Sequence, residues 1–272
     1  MVLAPQDVRV GRAQVTSLRR ASTVCVVRQT DRVEVLMVRR PMTARFMPGV
    51  WVFPGGAVDA ADAEAPKSFG GNQPGADWKV AALRELIEET GLWLTTNGTE
   101  SAPLTEDAFG VVELSEFTLD QDALIYFSNW VTPSAFPIRF DTRFFLAVAD
   151  PEAEALVDGD ELIDLAWLEP CEALRRETSG EWGVSFPTRK TLELLDSEPT
   201  VEALVDRLRR VDAVPSIEPR LHVGENDARI LLPDDDGFDE AGPAQSDPTI
   251  LDRLAVVADE GGRVPAELRS RS

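Results

Sequence analysis

Residues 84–92 read R-E-L-I-E-E-T-G-L and place three glutamates, Glu85, Glu88 and Glu89, within five positions. Carboxylates this close repel one another, and each raises its neighbours' pKa unless positive charge sits among them. The spacing predicts a helix over residues 78–90, with Asp77 as N-cap and Gly91 just past its end. At about 100° per residue the glutamates share one side of that helix, while Val80, Leu83 and Ile87 share the other. The apolar side is expected to pack on a sheet. Ala81 and Ala82 flank the acidic side one turn earlier and are expected to leave room for a ligand.

A solvated face held by i,i+4 pairs is the ordinary fate of helical glutamates. It explains this pattern poorly, because the helical cation in reach is Arg84, four residues before Glu88, and one arginine does not relieve three acids. Oxygen-only ligands of this kind suit a hard divalent cation, Mg2+ or Mn2+, which accepts one or two carboxylates together with water and substrate phosphate.

The flanking sequence predicts the layers around this helix. Residues 23–28 and 33–39 are β-branched runs separated by Q-T-D-R, a hairpin, and residues 51–53 form a short strand stopped by Pro54, Gly55 and Gly56. Strands are expected at 124–130, 140–148 and 162–168, and helices at 188–196 and 200–211. Mixed strands before and after one central helix imply an α+β layered domain. Residues 233–248, rich in Asp, Gly and Pro, read as a surface loop, and residues 249–260 as a short helix followed by a tail. The expected organisation is one domain over 18–235 with an acidic extension over 236–272.

Composition removes several classes of function. A net charge of −21 argues against a nucleic-acid groove. The two cysteines, Cys25 and Cys171, and the one histidine, His222, follow no common zinc spacing and do not suit Ser-His or Cys-His catalysis. No apolar run approaches a membrane span. The first residues, M-V-L-A-P-Q-D, lack the pattern of a secretory signal, so the expected setting is cytoplasmic. An anionic small molecule would need local arginines or bound cations to overcome the overall field. Nearly all the positive charge is arginine, which suits bidentate phosphate recognition, although a GC-rich coding sequence gives the same bias.

Residues 84–92 match every fixed position in the second half of the Nudix box, G-x5-E-x7-R-E-U-x-E-E-x-G-U, where U is bulky and aliphatic. The chain therefore resembles the Nudix hydrolase family. The first half is altered: F-P-G-G at 53–56 supplies the glycine, and Asp62 stands in place of the glutamate. Between Asp62 and Arg84 lie 21 residues where the box has 7, an insertion of 14. The insert, with F-G-G-N-Q-P-G at 69–75, is expected to bulge from the surface without disturbing the helix.

The resemblance implies the Nudix fold, an α/β/α sandwich around a mixed sheet, with two or more Mg2+ or Mn2+ ions and hydrolysis of a diphosphate joined to another moiety. It makes Glu85 and Glu89 the principal metal ligands and Glu88 a third ligand or a general base. The carbonyl of Gly55 or Gly56 is a further ligand, and Arg84 orients the carboxylates through Asp62. Glu161, in D-G-D-E at 158–161, is a second candidate base; its alternative is an acidic surface turn.

Arg39, Arg40 and Arg45, ahead of F-P-G-G, resemble the motif of the coenzyme A diphosphatase branch, whose Leu-Leu-Thr opening is absent here. The longer layout is similar to the peroxisomal CoA diphosphatase-like branch and its bacterial relatives over residues 20–235. It includes N-W-V-T-P at 129–133, R-F-D-T-R-F-F at 139–145 and P-T-R-K-T-L at 187–192. That resemblance implies cleavage of CoA or acyl-CoA to 3′,5′-ADP and a 4′-phosphopantetheine. ADP-ribose, a dinucleotide or a nucleotide sugar is the alternative substrate, and a non-catalytic nucleotide sensor the alternative class. Arg143 shares one face of strand 140–148 with Asp141 and Phe145; it is a candidate phosphate contact, with a cross-strand ion pair as its alternative. Association as a homodimer is left open.

Overall fold

The computed structural model describes residues 18–44, 47–65, 67–69, 75–134, 138–223 and 228–241. Arg45, residues 70–74 of the insertion, the expected helix at 249–260 and the N-terminal residues 1–7 lie outside the described residues.

In chain order the elements are β1 (Arg19–Gln29), β2 (Val33–Arg39), β3 (Trp51–Val52), β4 (Gly55–Ala57), α1 (Ala60–Ala63), α2 (Ala76–Thr90), β5 (Leu92–Thr95), β6 (Gly98–Ser101) and α3 (Ala108–Leu114). They continue with β7 (Ile125–Val131), β8 (Phe140–Val148), β9 (Asp164–Leu168), α4 (Pro170–Thr178), α5 (Phe186–Leu195), α6 (Val201–Arg209), β10 (Ser216–Ile217), β11 (Arg220–Val223) and β12 (Ala228–Leu231). Single 3-10 turns stand at Lys67–Phe69 and Gln121–Ala123.

The hairpin of β1 and β2 closes with Val27 opposite Val35. The sheet runs β10-β7-β8-β1-β2-β3, with β4 also paired to β1 and β9 to β2. It is mixed, because β1 lies parallel to β8 while β1–β2 and β7–β8 are antiparallel. Strand side chains alternate between faces, and this divides the core in two. Val24, Val26, Leu36, Val38, Phe145 and Ala147 pack with Leu83, Leu86 and Ile87 of α2. On the other face Cys25, Val27, Val35, Met37, Phe144 and Leu146 pack with Ala173, Leu192, Leu195, Leu204 and Leu208 of α4, α5 and α6. The result is the helix–sheet–helix sandwich expected from the sequence. Among the described residues no helix is long and apolar enough to cross a membrane.

Several expectations are corrected. α2 begins at Ala76, and its N-cap is Gly75 at φ +79, not Asp77. Asp77 lies inside the first turn because Arg20 of β1 draws its carboxylate into an ion pair. Gly91 closes the helix as expected, at φ +66, donating to the Ile87 carbonyl at 2.9 Å. Ala81 and Ala82 are fully buried, since β1 and β4 pack across that side of the helix and leave no room for a ligand there. The insertion does not stand off the surface at Phe69, which is fully buried with its ring 4.9 Å from that of Phe109. The strand expected from residue 162 starts at Asp164, because Leu162 turns into the core and its carbonyl accepts the Gly159 N–H. β4, with the sequence Gly-Gly-Ala, carries no strand signal and exists through its pairing with Ala21, Ser22 and Thr23.

Candidate active site

β4 and the C-terminal half of α2 meet side by side, and two consecutive glycines make that approach possible. A Cβ on Gly56 would stand 2.6 Å from Glu85 Oε2 and closer still to the rest of the carboxyl group, so this carboxylate lies directly against the backbone. Gly55, at φ +151, donates its N–H to Glu89 Oε2 at 2.8 Å. Any side chain on Gly55 would collide with the backbone of Ser22 and Thr23.

Arg84 is the hub of the acidic cluster. Its Nε and Nη2 grip Asp62 at 2.8 and 3.1 Å, a bidentate pair in which the Asp62 side chain is wholly inaccessible. Nη1 donates to Glu85 Oε1 at 2.9 Å and to Glu88 Oε2 at 3.0 Å, and Nη2 also reaches the Ala57 carbonyl. The shorter aspartate therefore makes the contact that the box gives to glutamate. It can do so because Asp62 lies on α1, with Oδ2 also fixed by the Asp59 N–H at 2.7 Å.

Burial and mutual repulsion unsettle the carboxylates. Glu85 is pushed up to about 7, first by loss of water and then by Glu88 and Asp62, against the pull of Arg84. Glu89 rises to about 8, through loss of water and the neighbouring Glu85 charge, opposed by the Gly55 N–H and by Arg40. Glu88 is also raised by burial, with Arg84 and the Ala108 N–H working against the shift. Burial disfavours the charge on Arg84, but Asp62, Glu85 and Glu88 outweigh it and hold the guanidinium protonated.

Two further groups converge on this end. Glu161 adds negative potential at Glu89, and Arg40 adds positive potential. Glu161 is exposed on a loop whose turn is organised by Asp158, which accepts the N–H groups of Asp160, Glu161 and Leu162 at 3.0–3.1 Å. The Ile163 N–H then bonds the Arg39 carbonyl at 2.9 Å, which ties the loop to the end of β2. Arg39 itself directs Nε to the Gly49 carbonyl at 3.4 Å. Arg143 lies apart from the carboxylates: its guanidinium stacks 4.2 Å from the Trp78 ring and 5.2 Å from Tyr126. Among the described residues it makes no ion pair, so the cross-strand pair weighed from the sequence is not formed. Sequence reasoning missed the Gly55 and Ala108 amides as partners of Glu89 and Glu88; the F-P-G-G run was the available signal for the first.

The donor set fits a hard divalent cation: oxygen atoms throughout, two carboxylates one helical turn apart, and charges that repel until a cation joins them. Among the described residues no three acid groups already converge to hold an ion. Arg84 Nη1 bridges Glu85 and Glu88, so closing on one cation requires a carboxylate to turn away from that nitrogen.

A family model for the NUDIX domain matches residues 18–180. The chain belongs to the Nudix family. A Caenorhabditis elegans protein that carries the name nudix hydrolase 7 is 30% identical over 230 residues, covering 81% of this chain and 74% of its own length. The crystal structure of a NUDIX hydrolase from Alicyclobacillus acidocaldarius superimposes with a TM-score of 0.60 at 32% identity, covering 71% of this chain and 97% of that one. Acyl-coenzyme A diphosphatase NUDT19 of Xenopus laevis is 25% identical over 216 residues, covering 53% of this chain and 55% of the relative. The NUDT19 of Gallus gallus is 26% identical and matched over 58% of its length, so this chain spans little more than half of either relative. Nudix hydrolases use divalent metal ions, and this chain is a Nudix pyrophosphohydrolase.

Proposed function

We propose that the protein hydrolyses the diphosphate of CoA or acyl-CoA, releasing 3′,5′-ADP and the corresponding 4′-phosphopantetheine. The observation that carries the hydrolytic part is the seating of Glu85 and Glu89 on Gly56 and Gly55, one helical turn apart and charge-frustrated. The substrate class is supported by the acyl-CoA diphosphatase relatives and by the arginines ahead of the glycines. The catalytic unit is the domain over 18–235, and 236–272 is an extension to it.

Glu85 and Glu89 would hold the metal, Mg2+ or Mn2+, in two or more copies, with Glu88 and the Gly56 carbonyl completing the set. Bound there, the ions would neutralise the pyrophosphate oxygens and lower the pKa of a nearby water. Arg84 keeps Glu85 and Glu88 oriented, and its own position is fixed by Asp62. Glu88 or Glu161 receives the proton of the attacking water. The water oxygen forms the new P–O bond, the anhydride P–O bond breaks, and the leaving phosphate keeps the electron pair. Arg39 and Arg40 meet the substrate's phosphates, and Arg143 meets a more distant part of it; Arg45, outside the described residues, is proposed with Arg39 and Arg40 from its place in the sequence alone.

The test is turnover of a panel of CoA, acetyl-CoA, ADP-ribose and a dinucleoside polyphosphate with Mg2+, products identified by mass. CoA consumed to 3′,5′-ADP supports the proposal. CoA left intact while ADP-ribose is consumed removes the substrate assignment and keeps the chemistry.

A further inference from the structure

We propose that the insertion inside the box is a brace for Glu88, with Phe69 and Phe109 as positioning residues. This rests on the reading of Glu88 as a working member of the carboxylate set, and it assigns to the insertion a task that the box alone does not require.

The contacts form one chain. Glu88 Oε2 is pulled towards Arg84 Nη1 at 3.0 Å, and Oε1 takes the N–H of Ala108 at 3.5 Å from the other side. Ala108 is the first residue of α3, where backbone N–H groups lack partners within the helix. α3 has seven residues, too few to persist without tertiary support. Its support comes from the core beneath it, where Ala108 and Val112 are buried and the Phe109 ring lies on that of Phe69.

Phe69 belongs to the insertion, and its segment is held by two hydrogen bonds besides the ring contact. The Ser68 carbonyl accepts the Leu119 N–H at 3.0 Å, and the Phe69 carbonyl accepts a short bond from Gln121 Nε2. The Gln121 carbonyl in turn accepts Lys79 Nζ of α2 at 2.6 Å. Residues 67–69 of the insertion, which follow α1, thus lie beneath α3 and are tied to α2 through Gln121. Without the Phe69 ring, α3 would lose the surface it rests on, and the Glu88 carboxylate would be left to Arg84 alone.

The test is a cycle of four proteins: wild type, Phe109→Ala, Glu88→Gln and the double variant. Phe69→Leu serves as a second, milder probe of the same contact. Phe109 is only part-buried, so its removal should leave the fold intact, which a thermal scan checks. A displaced catalytic group commonly costs one to two orders of magnitude. We expect Phe109→Ala to lower kcat by about tenfold with KM within about twofold, and to weaken Mn2+ binding, measured by calorimetry, by several-fold. In the Glu88→Gln background the same change should alter neither quantity by more than about twofold, because the two act through one group. Equal losses in both backgrounds, or no loss of kcat and Mn2+ affinity in the wild-type background, overturn the brace alone. If Glu88→Gln by itself leaves turnover and Mn2+ binding intact, the role of Glu88 falls and the brace falls with it.

Discussion

Gly56→Ala separates the placement of Glu85 from its presence. Gly56 has no left-handed backbone requirement, so the substitution leaves β4 unstrained, and the atoms nearest the new methyl group are those of the Glu85 carboxyl end. It would stand 2.6 Å from Glu85 Oε2, whereas uncrowded contacts lie near 3.5 Å, so the carboxylate must retreat by about 1 Å. A misplacement of about 1 Å can cost on the order of 100-fold in rate, near 2.7 kcal/mol in the barrier. A flexible glutamate yields cheaply, so stability should change by less than about 1 kcal/mol. The assay is kcat with the preferred diphosphate, Mg2+ affinity by calorimetry, and the thermal midpoint, all on one preparation. Loss of turnover and weaker Mg2+ binding with an unchanged midpoint is expected. Activity within about threefold of wild type would refute the placement of Glu85 at the reacting centre. Gly55→Ala is the contrast: its methyl group meets the backbone of β1, and the protein should fail to fold or unfold at much lower temperature.

Asp62→Ala strips the buried partner from Arg84 and should destabilise by about 3–5 kcal/mol, read from denaturant unfolding; a loss under about 1 kcal/mol would show that Glu85 and Glu88 suffice. Stability without metal should fall as pH rises from about 4.5 and level off near 8. Glu85 and Glu89 have folded-state values of about 7 and 8, above their ordinary 4.5, so their contribution is complete only below the ordinary value and is lost as they ionise. Mg2+ binds the ionised form, so the rise in thermal midpoint it produces should grow from pH 6 to pH 8.5; a rise independent of pH would place the ion elsewhere. Arg143→Met should raise KM more than it lowers kcat in steady-state assays, since the guanidinium stacks on Trp78 and Tyr126 and pairs with none of the glutamates.

Much of this molecule is legible in its sequence where local chemistry and tertiary demand agree. The β1–β2 hairpin, β8 and the glutamate helix follow from β-branched runs, alternation and a glycine stop, and 84–92 announces the site before any fold is known. Other parts depend on partners that are remote in the chain. β4 is a strand only because Ala21, Ser22 and Thr23 offer it an edge, and Gly-Gly-Ala would favour a turn elsewhere. Asp77 has the composition of an N-cap, but an arginine 57 residues away takes its carboxylate. The insertion looks like loop because of its glycines and proline, yet a single Phe69 carries it into the core, and no periodic pattern marks one residue. α4 was missed although Pro170 stands at its first turn, since the nearby cysteine and glutamates make a weak apolar stripe. Within the site, the acids were readable from spacing. Of the amides that hold two of them, that of Gly55 was hinted at by F-P-G-G, whereas that of Ala108 had no signal, because a backbone donor leaves none of its own.

The most direct measurement is diffraction from crystals soaked in Mn2+ at pH 8, with the anomalous signal of the metal mapped. The account predicts a peak bounded by Glu85, Glu89 and the carbonyl of Gly56, with one carboxylate turned from Arg84 towards the ion. Anomalous density elsewhere, with Glu85 and Glu88 still clasped to Arg84 and no ion near Glu89, would contradict it.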